Sequence, residues 1–319
     1  MGTNTDDFIE DLGHGIFAID TGYHRPRFDA AYLIVEAGRA AFIDTGTNFA
    51  VPRLLAALDA QGLEPEAVDW VIPTHVHLDH AGGVGLLMQS LPNARLLVHP
   101  RGLRHMIDPK VLYAGARAVY GEAEMLRSYG RLVPVPAERG EASFDGQRIS
   151  LAGRELLLLD TPGHARHHHC IWDTKSCGVF TGDTFGLSYR EFDTPRGPWI
   201  TPTTTPVQFE PEPLKDSIRR IMALAPESLF LTHYGRVSGA ERLGAQLIAQ
   251  IDQMTALALS LRDAENRHEK LKAGLQSLYL ESLHAHGCLL LPEQQLQLLA
   301  SDVELNAQGL GIWLDKLLP

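Results

Sequence analysis

Short apolar runs alternate with polar, glycine-rich connections over the first two thirds of the chain, and long three- and four-residue spacing takes over in the last third. Asp29 to Glu36 and Ala40 to Asp44 read as two strands around a turn at Gly38. Phe49 to Leu58 carries Leu54, Leu55 and Leu58 on one helical face, and Val84 to Leu91 has the same character. Trp70-Val71-Ile72-Pro73 predicts a strand, as does Ala94 to Val98. Arg101 to Arg131 spaces Tyr113, Tyr120, Met125 and Tyr129 loosely as in helices, so these side chains are expected to pack rather than bind a cofactor. Ile149–Leu151 and Glu155–Leu159 suit a hairpin around Gly153. Cys170–Trp172, Gly178–Phe180 and Ser228–Leu231 are further strands, and Leu214 to Leu224 is an amphipathic helix behind Pro213. From Leu243 to Leu283 the pattern predicts continuous helix, with Leu247, Ile251, Met254, Leu257 and Leu261 in step. Glu293–Leu299 and Val303–Leu318 predict two shorter helices. This change of pattern places a boundary near residue 237, giving a mixed domain over 1–236 and a helical region over 237–319.

The predicted strands end in unusual residues. After Trp70-Val71-Ile72 comes Thr74-His75-Val76-His77-Leu78-Asp79-His80, three histidines and an aspartate within six positions. His164 follows the Leu156–Leu159 run, Asp183 follows Gly178-Val179-Phe180, and His233 follows Leu229-Phe230-Leu231. Strand ends gathered along one rim put such groups on a rigid support, so a convergent site is expected. Imidazole and carboxylate are ligands for zinc, iron and manganese. Neighbours as close as His75, His77, Asp79 and His80 cannot all close on one ion, which favours a pair of metals.

His75-Val76-His77-Leu78-Asp79-His80 resembles the HxHxDH signature of the metallo-β-lactamase-fold superfamily, and the resemblance extends over roughly residues 14–236. It implies an α+β fold, an αββα sandwich of two mixed sheets flanked by helices, with the C-terminal helices as an appendage. It implies one metal held by His75, His77 and His164, a second by Asp79, His80 and His233, and Asp183 bridging both. The expected ions are two divalent transition metals, zinc first, with iron or manganese as alternatives. The ligand set is more like that of glyoxalase II and lactonases than that of β-lactam-cleaving members, which often carry cysteine where Asp183 stands. The implied activity is hydrolysis of a small ester, thioester, lactone or phosphodiester through a metal-bridging hydroxide, with Asp79 and Asp183 as catalytic residues. A diiron or mononuclear-iron redox enzyme of the same fold, similar to persulfide dioxygenases, is the alternative. Asp44, in Phe42-Ile43-Asp44-Thr45-Gly46, matches a family motif and is expected to support a ligand histidine. An Asx-turn at Thr45-Gly46 explains it nearly as well. His168, within the run His167–His169, is a candidate pocket or supporting residue. Tyr189 and Tyr234 are candidate oxyanion donors. The irregular stretch 194–206 is expected to wall the pocket with Phe192 and Trp199, and Arg190 and Arg196 to offer an anion contact.

Composition narrows the partners. A formal charge of −11 over 319 residues disfavours a nucleic-acid polymer, leaving a small molecule as the expected substrate. No run of about 18 apolar residues predicts a membrane span, and the polar, acidic first residues do not resemble a signal peptide. Three cysteines, Cys170, Cys177 and Cys288, fit buried thiols in a reducing cytoplasm. The apolar stripe of the C-terminal helices is expected to bury beside the site mouth or in a homodimer contact.

Overall fold

The computed structural model describes residues 7–204 and 206–317. It contains two mixed sheets. Seven strands, β1 (Ile9–Asp11), β2 (Ile16–Asp20), β3 (Ala30–Glu36), β4 (Arg39–Ile43), β5 (Val68–Ile72), β6 (Arg95–Val98) and β7 (Gly140–Ala142), lie in sequential order. β1 to β4 pair antiparallel and β4 to β7 parallel. The second sheet runs β13 (Gly235–Val237), β12 (Ser228–Leu231), β11 (Gly178–Gly182), β10 (His169–Asp173), β9 (Arg154–Asp160), β8 (Arg148–Leu151). It is antiparallel except for the β11–β12 pair. Helices α1 (Val51–Ala60), α2 (Leu78–Ala81), α3 (Val84–Ser90), α4 (Pro100–Ile107), α5 (Lys110–Tyr120) and α6 (Glu122–Glu124) belong with the first sheet in sequence. Helices α7 (Pro211–Ala223), α8 (Ala240–Ser260), α9 (Arg267–His286), α10 (Pro292–Leu298) and α11 (Ala300–Lys316) come later.

The chain forms two compact units that interleave in sequence. The first holds residues 1–160, 167–182 and 227–238, hence both sheets; the second holds 161–166, 183–226 and 239–319. The second unit thus draws segments from both sides of residue 237, a partition that linear composition does not reveal.

In the first unit β3 is buried on both faces. Ala30, Tyr32 and Ile34 join Ile149, Leu156, Leu158, Ile171, Phe180 and Phe230 in the core between the sheets. Ala31 and Leu33, one residue out of phase, pack with Leu54, Leu58 of α1 and Val84, Leu87 of α3. A period of two with both faces apolar produces the unbroken run seen in the sequence. Tyr32 also donates its hydroxyl to the Leu231 carbonyl, tying the two sheets through one side chain. Arg154 and Asp173 are both buried and form a two-pronged ion pair, with the Arg154 Nη1 donating 2.7 Å to the His14 carbonyl. The aromatic segment behaves as expected: Met125 and Tyr129 bury against Leu78, with Tyr113 and Tyr120 partly buried beside them.

In the second unit α8, α9 and α11 bury apolar side chains at helical spacing, Leu247, Ile251 and Met254 on α8, Leu271, Leu275 and Leu283 on α9, Leu310 and Leu314 on α11. Gly274 admits close approach: a Cβ there would sit 2.7 Å from both methyls of Leu257. The continuous helix expected over 243–283 is broken between Ser260 and Arg267. The break uses neither proline nor glycine; Asn266 takes a left-handed conformation at φ 54°, which asparagine tolerates. Phe192 and Trp199, expected to wall the pocket, are instead fully buried in this unit, edge to face at 5.2 Å, with the Trp199 indole donating 2.9 Å to Ser282. Arg190 donates to the Ser188 carbonyl and Arg196 to the Ala285 carbonyl, so both guanidinium groups brace main chain. Of the cysteines only Cys170 is buried, and none forms a disulfide.

His169 opens β10 and carries a consequence for stability. Its Nε2–H donates 2.9 Å to the Pro73 carbonyl, and its Nδ1 accepts from Ser143 Oγ at 2.9 Å, so the ring is held neutral. Burial, then the nearby His99, push its pKa from the ordinary 6.5 down to about 4. The folded state resists a proton that the unfolded chain accepts. This contribution is therefore complete above pH 6.5 and is lost as pH falls towards 4, amounting to ~3 kcal/mol. Denaturant midpoints of the metal-stripped protein between pH 7.5 and 5 should fall more steeply than those of His169→Gln. Parallel curves would rule out this residue as the cause.

Candidate metal centre

The parallel pairs set the geometry of the rim. β4 and β5 run the same way, so Asp44 and the His75–His80 loop leave the first sheet at one edge. β11 and β12 do the same in the second sheet, and His233 follows β12. The His169 amide donates 2.9 Å to the Thr74 carbonyl, joining the second sheet to that loop.

Asp44 is the hub beneath the histidines. It is buried, at φ 56°, and its carboxylate accepts from four donors: Thr74 N at 2.6 Å, Thr74 Oγ1 at 3.0 Å, Thr232 Oγ1 at 2.9 Å and His80 Nδ1 at 2.8 Å. A carboxylate accepting from His80 Nδ1–H fixes the tautomer and leaves Nε2 as the lone-pair nitrogen. His233 is set the same way by a different acceptor. Its Nδ1 donates 3.1 Å to the Phe28 carbonyl, and its Nε2 lies 3.5 Å from Asp79 Oδ2. Asp79 Oδ2 lies 4.0 Å from His80 Nε2. Ligand atoms of Asp79, His80 and His233 all fall within 4.8 Å of one another. Two Nε2 atoms with their opposite nitrogens occupied, plus one carboxylate oxygen, make a donor set that fits a divalent transition metal.

His75 and His77 converge beside this group, His75 Nε2 lying 2.8 Å from His77 Nδ1. Thr74 Oγ1 approaches His75 Nδ1 at 3.2 Å. His168 is fully buried and stacks on His75, ring centroids 4.8 Å apart and 27° between planes. Gly182 makes room for it: a Cβ at that residue would fall 2.5 Å from His168 Nε2 and from Thr74 Oγ1. His167 Nδ1 accepts from the Val76 amide at 3.5 Å. Tyr234 is buried between the sheets, with the Arg27 guanidinium 5.1 Å over its ring.

His164, Asp183 and Tyr189 belong to the second unit. His164 Nε2 lies 3.4 Å from Asp183 Oδ2, and its Nδ1 faces the Thr203 carbonyl at 3.4 Å, the tautomer logic seen at His80 and His233. Tyr189, the candidate oxyanion donor, is fully buried and its hydroxyl donates to both oxygens of Asp302 at 3.2 Å. His99, without a predicted role, caps α4 by accepting from the Arg101 amide and faces Asp160.

The supporting hydroxyls of Thr74 and Thr232 were not singled out from the sequence. A signal was present: each immediately precedes a histidine at a strand end, Thr74-His75 and Thr232-His233, and both reach the same carboxylate.

The metallo-β-lactamase superfamily model matches residues 24–233, which contain the whole donor set. The chain belongs to the metallo-β-lactamase superfamily. The metallo-β-lactamase fold-containing protein ST1585 of Sulfurisphaera tokodaii is 28% identical over 229 residues, 70% of this chain and 80% of that protein. A hydroxyacylglutathione hydrolase of Xanthomonas euvesicatoria is 32% identical over 209 residues, 64% of this chain and 60% of its own length. An atrochrysone carboxyl ACP thioesterase of Aspergillus fumigatus is 29% identical over 154 residues, 48% of this chain and 38% of its own. The chain thus spans about half the length of several of the relatives it matches. The crystal structure of the archaeal protein superposes with a TM-score of 0.65 at 22% identity, covering 93% of this chain and 98% of that one. The metallo-β-lactamase family protein TTHA1429 of Thermus thermophilus gives the same score and identity over 91% and 95%. The two mixed sheets with flanking helices are the α+β sandwich of this superfamily, and the chain is an enzyme of its hydrolase type. No helix among the described residues is long and apolar enough to cross a membrane.

Proposed function

We propose that this metallo-β-lactamase-fold enzyme is a dinuclear metal-dependent hydrolase whose substrate is a small acyl thioester. The observation that carries the reading is the Asp79–His80–His233 group, in which each histidine has its Nδ1 engaged and its Nε2 turned towards a shared carboxylate. By the ligand order of the superfamily, His75, His77 and His164 would hold one ion and Asp79, His80 and His233 the other, with Asp183 as a further carboxylate ligand. Zinc is the expected metal. When bound, such a pair supplies Lewis acidity and a water that ionises near neutral pH.

The chain's own groups do the rest. Asp44 and the Phe28 carbonyl keep the protons of His80 and His233 on Nδ1. Asp79 Oδ2 is the acceptor that orients the attacking water, and the Asp183 carboxylate offsets positive charge. A thioester ranks ahead of esters, lactones and phosphodiesters because two of the relatives are named for hydrolysing acyl groups from glutathione or from an acyl carrier protein. The acidic chain agrees with a small molecule rather than a nucleic acid.

Two measurements test this. Elemental analysis of protein purified without chelator should find close to two transition-metal ions per chain, without the visible absorption of oxidised diiron. A chain that stays at one ion after metal supplementation defeats the dinuclear reading. A panel of thioester, ester, lactone, phosphodiester and β-lactam substrates should give the highest kcat/KM on a thioester, lost on chelation and restored by zinc.

A further inference from the structure

α11 presents Asp302, Asn306, Gly309 and Trp313 at steps of four, three and four, one face of a helix. All four meet the chain that follows Asp183 within the second unit. Asp302 accepts from Tyr189, and the Trp313 ring packs edge-on to Phe209 at 6.2 Å. Asn306, 1% exposed, grips the main chain on both sides of Thr203. Its Oδ1 accepts from the Thr204 amide at 2.6 Å, and its Nδ2 donates 3.4 Å to the Pro202 carbonyl and 2.7 Å to the Tyr279 hydroxyl. Its own carbonyl accepts from Thr204 Oγ1 at 3.0 Å. Gly309 permits the approach, since a Cβ there would lie 1.4 Å from the Thr204 carbonyl oxygen. The Thr203 carbonyl, held between the two gripped residues, faces His164 Nδ1 at 3.4 Å. A carbonyl only accepts, so the proton sits on Nδ1 and Nε2 is the nitrogen turned to Asp183.

We propose that Asn306 and Gly309 of the C-terminal helix are positioning residues for the metal ligand His164, acting through the Thr203 carbonyl; this rests on the metal reading above. The amide is satisfied at both ends, so its removal would leave the buried Thr204 N–H without its acceptor and free the 202–204 main chain to shift. Groups that hydrogen-bond a ligand ring directly, as the Thr203 carbonyl does, typically change metal affinity about 10- to 100-fold, and Asn306 acts one contact further out, at the lower end of that range.

The test is a cobalt(II) titration of the full-length, chelator-stripped chain, read by visible absorption and by competition with a chromophoric chelator. The unaltered chain should take up cobalt in two steps. Asn306→Ala should weaken one step by about tenfold and alter its absorption band, with the far-ultraviolet circular dichroism unchanged. Leu314→Ala, a core truncation on the same helix, should lower the melting temperature yet leave both steps within about twofold. Should Asn306→Ala not fold, Thr204→Val is read in its place; it removes the hydroxyl that reaches the Asn306 carbonyl and Oδ1, keeps the Thr204 amide, and should weaken the same step several-fold. Unaltered cobalt binding in the Asn306 or Thr204 variant overturns the proposal while leaving the metal reading intact. Equal weakening in Leu314→Ala overturns it as well, because general stability then explains the effect. Failure of the unaltered chain to bind cobalt defeats the metal reading and this proposal together.

Discussion

Asp79→Asn is expected to lower kcat/KM on the best substrate by on the order of a hundred- to thousandfold while the protein stays folded. The carboxylate is 26% exposed at the start of α2, so its loss leaves no buried hole and costs little stability. Its chemical position is different. Oδ2 lies 3.5 Å from His233 Nε2 and 4.0 Å from His80 Nε2, both nitrogens with their second positions committed elsewhere. The amide oxygen of asparagine keeps the shape but removes the negative charge that would draw a cation between the imidazoles and accept a hydrogen bond from the attacking water. Metal content should drop towards one ion per chain, and kcat should fall more than KM rises. The comparison needs steady-state kinetics, elemental analysis and a circular dichroism spectrum on the same preparation. Full turnover by Asp79→Asn would show that the hydrolysis belongs to another site.

What the sequence disclosed follows from how each feature is encoded. His75, His77, Asp79 and His80 are close in sequence, so their proximity is local chemistry that a one-dimensional reading captures. His164, Asp183 and His233 stand out in the sequence because each follows an apolar run, and a strand end is visible as a change in hydropathy. β2 was missed although Ile16, Ala18 and Ile19 are buried, because Ile16-Phe17-Ala18-Ile19 is bounded by aspartates and glycines that dilute the signal in so short a run. The break between α8 and α9 was missed because nothing but Asn266 marks it. Phe192 and Trp199 were misread as pocket walls, since an irregular stretch says nothing about which of its aromatics the helices will bury. The grip of Asn306 on 202–204 joins residues about a hundred positions apart and uses an amide and a carbonyl, groups that carry no pattern at all.

Asp44→Ala should produce the largest combined loss of stability and metal binding in the molecule. Its carboxylate is the common acceptor for Thr74 N, Thr74 Oγ1, Thr232 Oγ1 and His80 Nδ1, all in a buried environment. Removing it strands donors that water cannot reach, at roughly 1–3 kcal/mol each before relaxation. Non-additivity among neighbours reduces the sum, and ~3–5 kcal/mol is expected for the metal-free protein. The positive φ adds to the cost, since alanine adopts the left-handed region less readily than aspartate. Asp44→Asn separates the two effects. The amide tolerates that backbone and retains one acceptor oxygen, so much of the stability should survive. Its NH2 group, however, must face either His80 Nδ1 and Thr232 or the Thr74 donors. With the oxygen kept on the Thr74 amide, His80 is driven to carry its proton on Nε2, the nitrogen meant for the metal. Asp44→Asn should therefore fold with a denaturant midpoint nearer to that of the unaltered chain than to that of Asp44→Ala, yet bind zinc about 10- to 100-fold more weakly in competition titrations. Unchanged zinc affinity in Asp44→Asn would mean that Asp44 serves the fold alone and does not set the state of His80.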